Sequence, residues 1–337
     1  MRQSQTYFIA FLLLAFFGQS SCAQEAGPAQ AQTTLADITW PISEHLASDA
    51  RLADILDNPA FAGFAERILP WHGRRYDPAM PLGHIGPLVP YHTVLNVETM
   101  VSALNLVIDE ANAGQTIFYE LYSEAEIRAD PSKAAAGLFV FRGRPGAPFA
   151  VIAAGGAFSH VASLHEGFPY AQGISEMGFN AFVVTYRTGQ GGRVATEDMA
   201  RAIAWIFDNA VRLEVSTLDY SVWGSSAGAR MAAYIGSHGP AAFGADDLPK
   251  PAAVIMAYTS HSDLAATEPP TFVVVGEDDR IAPPINMERR IADLRRLGTL
   301  VEYHRFPNVG HGFGAGIGTS AEGWIAQAVR FWDAAQK

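Results

Sequence analysis

A serine on a glycine-rich turn is the first feature of this sequence that could carry chemistry. Residues Gly224–Gly228 read Gly-Ser-Ser-Ala-Gly, which fits Gly-x-Ser-x-Gly with Ser226 at the centre. The motif follows the strand-like run Tyr220–Trp223 and precedes the helix-like run Ala229–Ile235. A serine on a sharp strand-to-helix turn exposes its oxygen, and the helix N-terminus favours the negative charge that develops on reaction. The pattern predicts Ser226 as a nucleophile; Ser225 is the alternative, but its flanking residues break the pattern.

An acidic loop and a histidine loop further along the chain could complete such a site. Glu277, Asp278 and Asp279 follow the apolar run Phe272–Val275. They therefore lie at the carboxyl end of a predicted buried strand, where open α/β sheets place ligands and a carboxylate could orient a histidine. His311 lies between two glycines, and imidazole suits proton transfer at neutral pH. We expect the glycines to leave this loop free to reach the serine; the residues alone leave the choice of acid open.

Backbone N–H groups must also face the oxygen that becomes negative when a serine attacks a carbonyl. Ala227, directly after the predicted nucleophile, supplies one such group. The small residues of Ala154–Phe158 follow an early strand pattern, so we expect the second donor there. Glu166 lies soon afterwards. It could brace this loop by accepting backbone N–H bonds, or it could be an ordinary acid in the first turn of a helix.

From about residue 135 onward, strand-like and helix-like stretches alternate. The strand-like runs are Gly137–Arg142, Phe149–Ala154, Ala181–Tyr186, Ser221–Trp223, Ala252–Ala257, Phe272–Val275 and Val301–Tyr303. Helices are predicted at Val194–Asn209, with Thr196 as the N-cap, and at Ile285–Leu297 and Ala321–Asp333. Because the strands lack alternating polar residues, we predict an α/β fold with a mostly parallel sheet covered by helices on both faces.

Residues 34–134 are predicted to form a mainly helical segment that precedes a catalytic domain at 135–337. Apolar spacing favours helices at His45–Leu56, Phe61–Ile68 and Met100–Ile108. The segment could be a layer packed on the larger domain or a cap over its active site. We favour the layer, because nothing in the segment carries chemistry on its own.

The N-terminus has the pattern of an export signal. Arg2 precedes Tyr7–Phe17, an apolar run of 11 residues that is too short to cross a bilayer as a helix, which takes about 20. Small residues around Cys22 predict cleavage after Ala23, which gives a signal peptide at 1–23 and a flexible tether at 24–33. Alternatively, Cys22 becomes the lipid-bearing first residue of a lipoprotein, although Gln19 is unusual in such a signal. We therefore expect a periplasmic or secreted protein.

Composition excludes several classes of protein. The 337 residues are 49% apolar and 17% charged, which is too apolar for a disordered chain. The net charge of −11 disfavours binding to nucleic acid or to an anionic membrane surface, so membrane contact is expected only through a lipid at Cys22. A single cysteine excludes an internal disulfide and a cysteine metal cluster. We expect no metal or organic cofactor, and the oligomeric state stays open.

Two further stretches are predicted to be ordinary surface. Gly189–Gly192 could border the pocket or be a plain connection, and we favour the plain connection. It is not a phosphate-binding loop, because no Lys-Ser or Lys-Thr pair follows the glycines. Four arginines lie among Glu288 and Asp293 on one predicted helix, which is typical of a solvated helix face: Arg289, Arg290, Arg295 and Arg296.

The residues from about 135 to 337 resemble the bacterial acetylesterases and feruloyl-esterase-like enzymes of the α/β hydrolases, relatives of the hormone-sensitive-lipase-type esterases. The resemblance is carried by Ala153–Phe158, His165–Pro169, Gly178–Arg187, Gly224–Gly228, Gly276–Pro283 and His311–Phe313. It implies Ser226 as nucleophile, Asp279 as the acid and His311 as the base. The order serine, acid, histidine along the chain is also that of the α/β hydrolases.

By position in the Gly-Gly motif, the resemblance implies the N–H groups of Gly156 and Ala157, together with Ala227, as the oxyanion hole. Relatives often have His or Pro in place of Ala154 and a third glycine in place of Ala157. An alanine still offers its N–H group, but its methyl group could narrow the acyl pocket.

The resemblance implies a serine esterase that cleaves a small-molecule or carbohydrate ester, short-chain or sugar-linked, through an acyl-enzyme. Two alternatives stay open. One is a serine peptidase of the same fold, although residues 24–135 offer less than the large N-terminal domain that we expect it to need. The other is a non-catalytic binding protein with a relict triad.

Overall fold

The computed structural model of the chain describes residues 42–70 and 75–336. The predicted signal peptide, the tether and Cys22 lie outside the described residues. From Ile42 onward the chain forms one compact unit. No helix in the described part is both long enough and apolar enough to cross a bilayer.

An eight-stranded sheet runs through the described residues. Its strands are β1 (Phe118–Glu120), β2 (Gly137–Phe141), β3 (Pro148–Ala153), β4 (Asn180–Thr185), β5 (Ser216–Ser225), β6 (Ala253–Ala257), β7 (Thr271–Gly276) and β8 (Val301–Phe306). The spatial order is β1-β2-β4-β3-β5-β6-β7-β8. The β1–β2 and β2–β4 pairs are antiparallel, and the other pairs are parallel. The predicted mostly parallel sheet is confirmed; β1 was not predicted.

Helices connect and cover these strands. They are α1 (Leu52–Leu56), α2 (Val97–Asn112), α3 (Glu124–Ala129), α4 (Phe168–Glu176), α5 (Gly192–Asp208), α6 (Ala210–Leu213), α7 (Ala227–His238), α8 (Pro284–Arg296) and α9 (Trp324–Ala335). Short 3-10 turns lie mainly before residue 90, and one π-helical turn, Ser163–Gly167, leads directly into α4.

Alternate residues of each central strand enter different cores, because successive side chains of a strand point to opposite faces. In β3, Val151 packs with α5 and α7 on one face. Its neighbours Ala150 and Ile152 pack with α2, α4 and α9 on the other. Both faces are therefore buried, which explains why the strands read as continuous apolar runs.

The segment before the sheet shares one of these cores. Leu104 and Ile108 of α2 belong to the same buried cluster as Phe168 of α4 and Trp332 of α9. The predicted helix around Met100–Ile108 is confirmed within α2. The division of the chain near residue 135 stays a prediction.

Two predicted helices of this segment are wrong in extent. Phe61–Ile68 forms no helix: the 3-10 turns Pro59–Phe61 and Ala65–Arg67 lie on either side of Gly63, whose φ of +88° is incompatible with a right-handed helix. Of His45–Leu56, only the residues of α1 are helical.

Two expectations about polar residues are also wrong. Thr196 is not an N-cap, because α5 already begins at Gly192 and the Thr196 hydroxyl donates to the Gly192 carbonyl, 2.7 Å away, inside the helix. Arg290 is not solvated but is 2% exposed, with Nη2 3.2 Å from a Glu268 carboxylate oxygen. A buried guanidinium needs such a partner.

Candidate active site

Ser226 lies on a strained turn between β5 and α7. Its φ of 47° and ψ of −112° are unfavourable for a residue with a side chain. A Cβ added at Gly228 would lie 1.9 Å from the Ala153 carbonyl oxygen, and one at Gly224 would lie 2.3 Å from the Gly228 backbone. The two glycines of the motif thus let the turn pack against β3, and this packing holds the serine in its strained conformation.

Three side chains from separate loops meet at this turn. The Ser226 hydroxyl lies 2.9 Å from Nε2 of His311, and Nδ1 of His311 lies 2.7 Å from Oδ2 of Asp279. The N–H groups of Ile281 and Ala282 donate to Oδ1 of Asp279 at 2.8 and 2.7 Å. With Nδ1 donating to the carboxylate, Nε2 is left to accept the serine proton.

The competing residues of both motifs do not contact His311 within the described residues. Glu277 and Asp278 are exposed, and Glu277 pairs with Arg305 at 2.8 Å. Ser225 is fully buried and donates to Glu166. The structure therefore joins Asp279, and neither neighbouring acid, to His311, and it joins Ser226, not Ser225, to the imidazole.

The loop after β3 bends sharply beside the serine. Gly156, Ala157 and Phe158 all have positive φ angles, 127°, 53° and 56°. The N–H groups of Gly156 and Ala157 donate no hydrogen bond within the described residues. Ala227 is the first residue of α7, so its N–H group is not used inside that helix. These three N–H groups, predicted as the oxyanion hole, are thus available to a ligand.

Glu166 is fully buried behind this loop and accepts four hydrogen bonds. The Gly155 N–H, at 2.5 Å, and the Ser225 hydroxyl donate to Oε2. Nε2 of His92, at 2.8 Å, and the Tyr258 hydroxyl, at 2.9 Å, donate to Oε1. The sequence left two roles open for Glu166, a brace for the loop or an ordinary acid in the first turn of a helix. Its bond from the Gly155 N–H fits the brace.

The surroundings of Glu166 keep it ionised. Burial alone raises the pKa of its carboxyl group, but the charge and hydrogen bond of His92, helped by Ser225, hold the pKa well below its ordinary value. The same burial lowers the pKa of His165 well below its usual range, since an imidazolium there would be desolvated. Behind the loop after β3, the ionised carboxylate of Glu166 thus lies beside the neutral imidazole of His165.

Among the described residues, His92, His165 and Glu166 form one group whose ligand atoms lie close enough to share a metal ion. Each oxygen of Glu166 already accepts two hydrogen bonds, which uses the four acceptor positions of a carboxylate. A cation could bind there only by displacing these donors. The donor set therefore fits a hydrogen-bonded cluster better than a metal centre.

Sequence reasoning missed His92, Tyr258 and Thr259. The Thr259 hydroxyl donates to the Ser226 carbonyl at 2.8 Å, and Tyr258 reaches Glu166 from the loop after β6. None of the three belongs to a motif. His92 is one of ten histidines in the chain, and the sequence around it does not distinguish it from the others.

A cavity of about 590 Å³ borders the loop after β3. Phe158, Gly192 and Arg193 line one part of it, and Arg230 and Tyr234 of α7 line another. Of the two interpretations of Gly189–Gly192, a pocket border fits Gly192, which lines this cavity, and the favoured plain connection is wrong at that residue. Arg230 lies one helical turn after Ser226, so the cavity lies close to the serine.

Comparisons with known proteins agree with this architecture. The BD-FAE family matches residues 142–253, and the prolyl oligopeptidase family matches residues 247–337. No curated protein sequence gives a significant match.

Several solved structures have a similar fold. An acetyl ester-xyloside bifunctional hydrolase from Caldicellulosiruptor lactoaceticus is 19% identical, with a TM-score of 0.55 over 64% of this chain and 95% of that one. An α/β hydrolase from a Medee basin deep-sea metagenome library is 20% identical, with a TM-score of 0.52 over 60% and 93%. The carboxylesterase Cest-2923 from Lactobacillus plantarum is 18% identical, with a TM-score of 0.52 over 59% and 92%.

The sheet order and the similar solved structures together define the fold class of the chain. The described part of the chain has the α/β-hydrolase fold, as its resemblance to that group predicted.

Proposed function

We propose that the protein hydrolyses carboxylic esters with Ser226 as the nucleophile. The observation that carries this proposal is the chain of two contacts, 2.9 Å from Ser226 Oγ to His311 Nε2 and 2.7 Å from His311 Nδ1 to Asp279. A serine aligned in this way can lose its proton as it attacks, while the carboxylate stabilises the imidazolium that forms.

In the first half of the reaction, Ser226 Oγ bonds to the carbonyl carbon of the ester as its proton moves to His311. The electron pair of the C=O bond moves onto oxygen, and the N–H groups of Gly156, Ala157 and Ala227 donate to that oxyanion. The intermediate then collapses. The bond to the alcohol oxygen breaks, His311 protonates the departing alcohol, and the acyl group stays on Ser226.

The second half repeats these steps with water in place of the serine. His311 takes a proton from water, and the resulting oxygen nucleophile attacks the acyl-enzyme carbonyl. Collapse of the second intermediate returns the proton to Ser226 Oγ and releases the carboxylic acid. All proton transfers use groups of this chain, so the scheme needs no cofactor.

The substrate class that we propose is a short-chain or sugar-linked ester. The cavity beside Phe158 has room for a small acyl or alcohol group. Support also comes from the acetyl ester-xyloside hydrolase among the similar structures. We further propose export, by a signal peptide at 1–23 or by a lipid at Cys22, which would bring the enzyme to such esters outside the cytoplasm.

The first test is replacement of the nucleophile. Ser226→Ala should lower kcat on a short p-nitrophenyl ester by about 10³-fold or more, because no other group can form the acyl-enzyme. Its unfolding temperature should stay close to that of the unchanged protein. Ser320→Ala, at an exposed serine, is the matched control and should keep full activity. Equal turnover by Ser226→Ala and the unchanged protein contradicts the proposal.

A serine peptidase is the second candidate, favoured by the match of residues 247–337 to the prolyl oligopeptidase family. That match includes both Asp279 and His311. An ester and an amide of the same acyl group distinguish the two candidates. Hydrolysis of the amide as well as the ester, lost in Ser226→Ala, would identify a peptidase, and hydrolysis of the ester alone would identify an esterase.

A fluorophosphonate probe separates both enzymes from a binding protein with a relict triad. The probe reacts only with an activated serine. Labelling that is present in the unchanged protein and lost in Ser226→Ala supports an enzyme, and no labelling of either supports the binding protein.

A further inference from the structure

The residues Val89–Thr93, which precede the family matches, contact both sides of the candidate active site. His92 is the first contact. Its side chain is 2% exposed, and Nε2 donates to Glu166 Oε1 at 2.8 Å while Nδ1 lies 3.3 Å from the Val89 carbonyl oxygen. Through Glu166, this histidine is connected to the Gly155 N–H. Gly155 lies near the start of the loop after β3, Ala154–Phe158, which we call the oxyanion loop.

Thr93 is the second contact, on the side of the base. Its N–H group and its hydroxyl both donate to the His311 carbonyl oxygen, at 3.0 and 2.7 Å. Thr93 therefore binds the backbone of the residue whose side chain accepts the serine proton.

The glycines that flank His311 fit closely against the same segment. A Cβ added at Gly310 would lie 2.9 Å from Thr93 Cγ2. One added at Gly312 would lie 2.6 Å from His92 Cδ2 and 2.7 Å from the carbonyl oxygen of Tyr91. The glycines thus allow close packing of two loops, which is the reverse of the flexible loop that the sequence predicts.

We propose that His92 and Thr93 are positioning residues for catalysis, and that Val89–Thr93 acts as a clamp on both the oxyanion loop and the His311 loop. His92 acts through Glu166, and Thr93 acts through the His311 backbone. This inference rests on the proposed ester hydrolysis, because positioning has a catalytic effect only if Ser226 reacts.

Loss of the His92 hydrogen bond should raise the pKa of Glu166, and a general loss of stability would not have this effect. Burial is the largest influence on the Glu166 carboxyl group and raises its pKa, and His92 is the main opposing group. Without His92 the pKa of Glu166 rises, so the carboxyl group takes up a proton at a higher pH. The other polar groups that face it are His165, Ser225, Tyr170, Tyr186 and Tyr258. None of these brings a positive charge at neutral pH, because burial keeps His165 neutral.

His92→Met and His92→Gln form the first test. Methionine has a similar size but no donor, so kcat should fall by about 10- to 100-fold, while KM changes less than about threefold. The acidic limb of the pH–rate profile should move to higher pH. Glutamine can still donate to Glu166, so it should restore most of kcat at pH 8. His45→Met, which removes the exposed contact with Asp109, is the control and should match the unchanged protein.

Coupling to Glu166 is the second part of the test. If His92 acts through that carboxylate, the double variant His92→Met/Glu166→Gln should lose little more activity than Glu166→Gln alone. Additive losses, or a His92→Met variant with unchanged kcat and pH profile, would overturn the role of His92. If His92→Met does not fold, His92→Gln provides the test, because the acidic limb of its pH–rate profile should still move to higher pH.

Thr93→Val tests the other contact. It removes the hydroxyl bond to His311 and keeps the backbone bond, so kcat should fall by about three- to tenfold. Thr99→Val is the matched control, since that hydroxyl also donates to a backbone carbonyl, of Asn96 at the start of α2. Equal kcat in the two variants contradicts the role of Thr93.

A readout without turnover separates this proposal from the proposed function. In the Ser226→Ala background, the unfolding temperature is measured against pH with and without His92→Met. The clamp predicts that the stability lost on His92→Met is largest near pH 6 and narrows as the pH falls, because the folded variant then takes up a proton on Glu166 that the folded His92 protein does not. A difference between the two curves that does not vary with pH opposes the clamp. Absence of ester turnover in the unchanged protein would reject the proposed function and leave this measurement valid.

Discussion

At the scale of single residues, environment decides which acid of the loop after β7 joins the site. Asp279 is 3% exposed and accepts two backbone N–H groups in addition to His311. Asp278 is adjacent in sequence but exposed. Such a fixed, buried carboxylate can hold an imidazole in one tautomer, and a solvated one cannot.

Asp279→Asn should lower kcat by about 10³-fold or more with little change in KM. An amide can donate a hydrogen to Nδ1 of His311, which would place the imidazole proton on Nε2 and prevent it from accepting the serine proton. Steady-state kinetics on a short ester measure the effect. Asp278→Asn is the control and should stay within about twofold of the unchanged protein. A large loss in Asp278→Asn, with none in Asp279→Asn, would reverse the assignment.

Motif residues were predictable at this scale, and their supporting residues were not. Ser226 and His311 are marked by glycines and by their order along the chain. The choice of Asp279 came with the resemblance to known esterases. His92 has no such mark, because its role depends on a contact with Glu166, 74 residues away. A sequence pattern reports local conformation and contains no information about such a contact.

At the scale of elements, the contact between β3 and α7 fixes the serine turn. The start of α7 approaches the end of β3 so closely that Gly228 has no room for a side chain. The approach brings Ser226 beside the loop that begins at Ala154. The position of Ser226 relative to the N–H groups of Gly156 and Ala157 is therefore set by how one helix packs on one strand.

Gly228→Ala should destabilise the fold by about 3 kcal/mol, because the methyl group would overlap the Ala153 carbonyl and force α7 outward. We also expect kcat to fall in the fraction that stays folded. Denaturant unfolding and ester kinetics measure the two effects. Gly83→Ala is the control, since its added Cβ meets only an ordinary contact with Val97 at 3.5 Å. A Gly228→Ala protein as stable as the control would refute this account.

The central strands and long helices were largely predictable, and the elements before residue 90 were not. Strands such as β4 and β7 are buried on both faces, so their apolar runs give a clear signal. The chain at Pro59–Arg67 has apolar residues at helical spacing, yet Pro59 and Gly63 limit it to 3-10 turns. There, packing on a core formed by later residues decides the conformation, and local preference does not.

At the scale of the whole molecule, several histidines are buried, and a buried histidine makes the free energy of unfolding depend on pH. His261 is 5% exposed on the wall of a second cavity, with the edge of Tyr234 near its ring. Burial, then the charges of Arg290 and Arg230, lower its pKa to about 3 from an ordinary value of 6.5. The folded protein therefore holds this imidazole neutral over a range in which the unfolded chain would protonate it.

The free energy of unfolding should fall as the pH falls, because the unfolded chain takes up a proton at His261 that the folded protein does not. Above pH 6.5 neither state binds the proton, and the full stability is present. As the pH falls from 6.5 towards 3, only the unfolded chain binds it, so His261 should cost about 1 kcal/mol for each pH unit. In His261→Asn this loss should be absent, which thermal unfolding between pH 7 and pH 4.5 would detect. His84→Asn, at an exposed position, should follow the unchanged protein. Parallel curves for the unchanged protein and His261→Asn would exclude this effect.

The clamp formed by Val89–Thr93 also constrains how such a hydrolase can be recombined. A chimera that keeps residues 142–337, the part matched by the two families, and takes its preceding segment from another protein of this fold would keep Ser226, Asp279 and His311 together. It would lose the donor that compensates the buried carboxylate. Transfer of the proposed catalytic residues to a chimera therefore also requires His92, which lies outside residues 142–337.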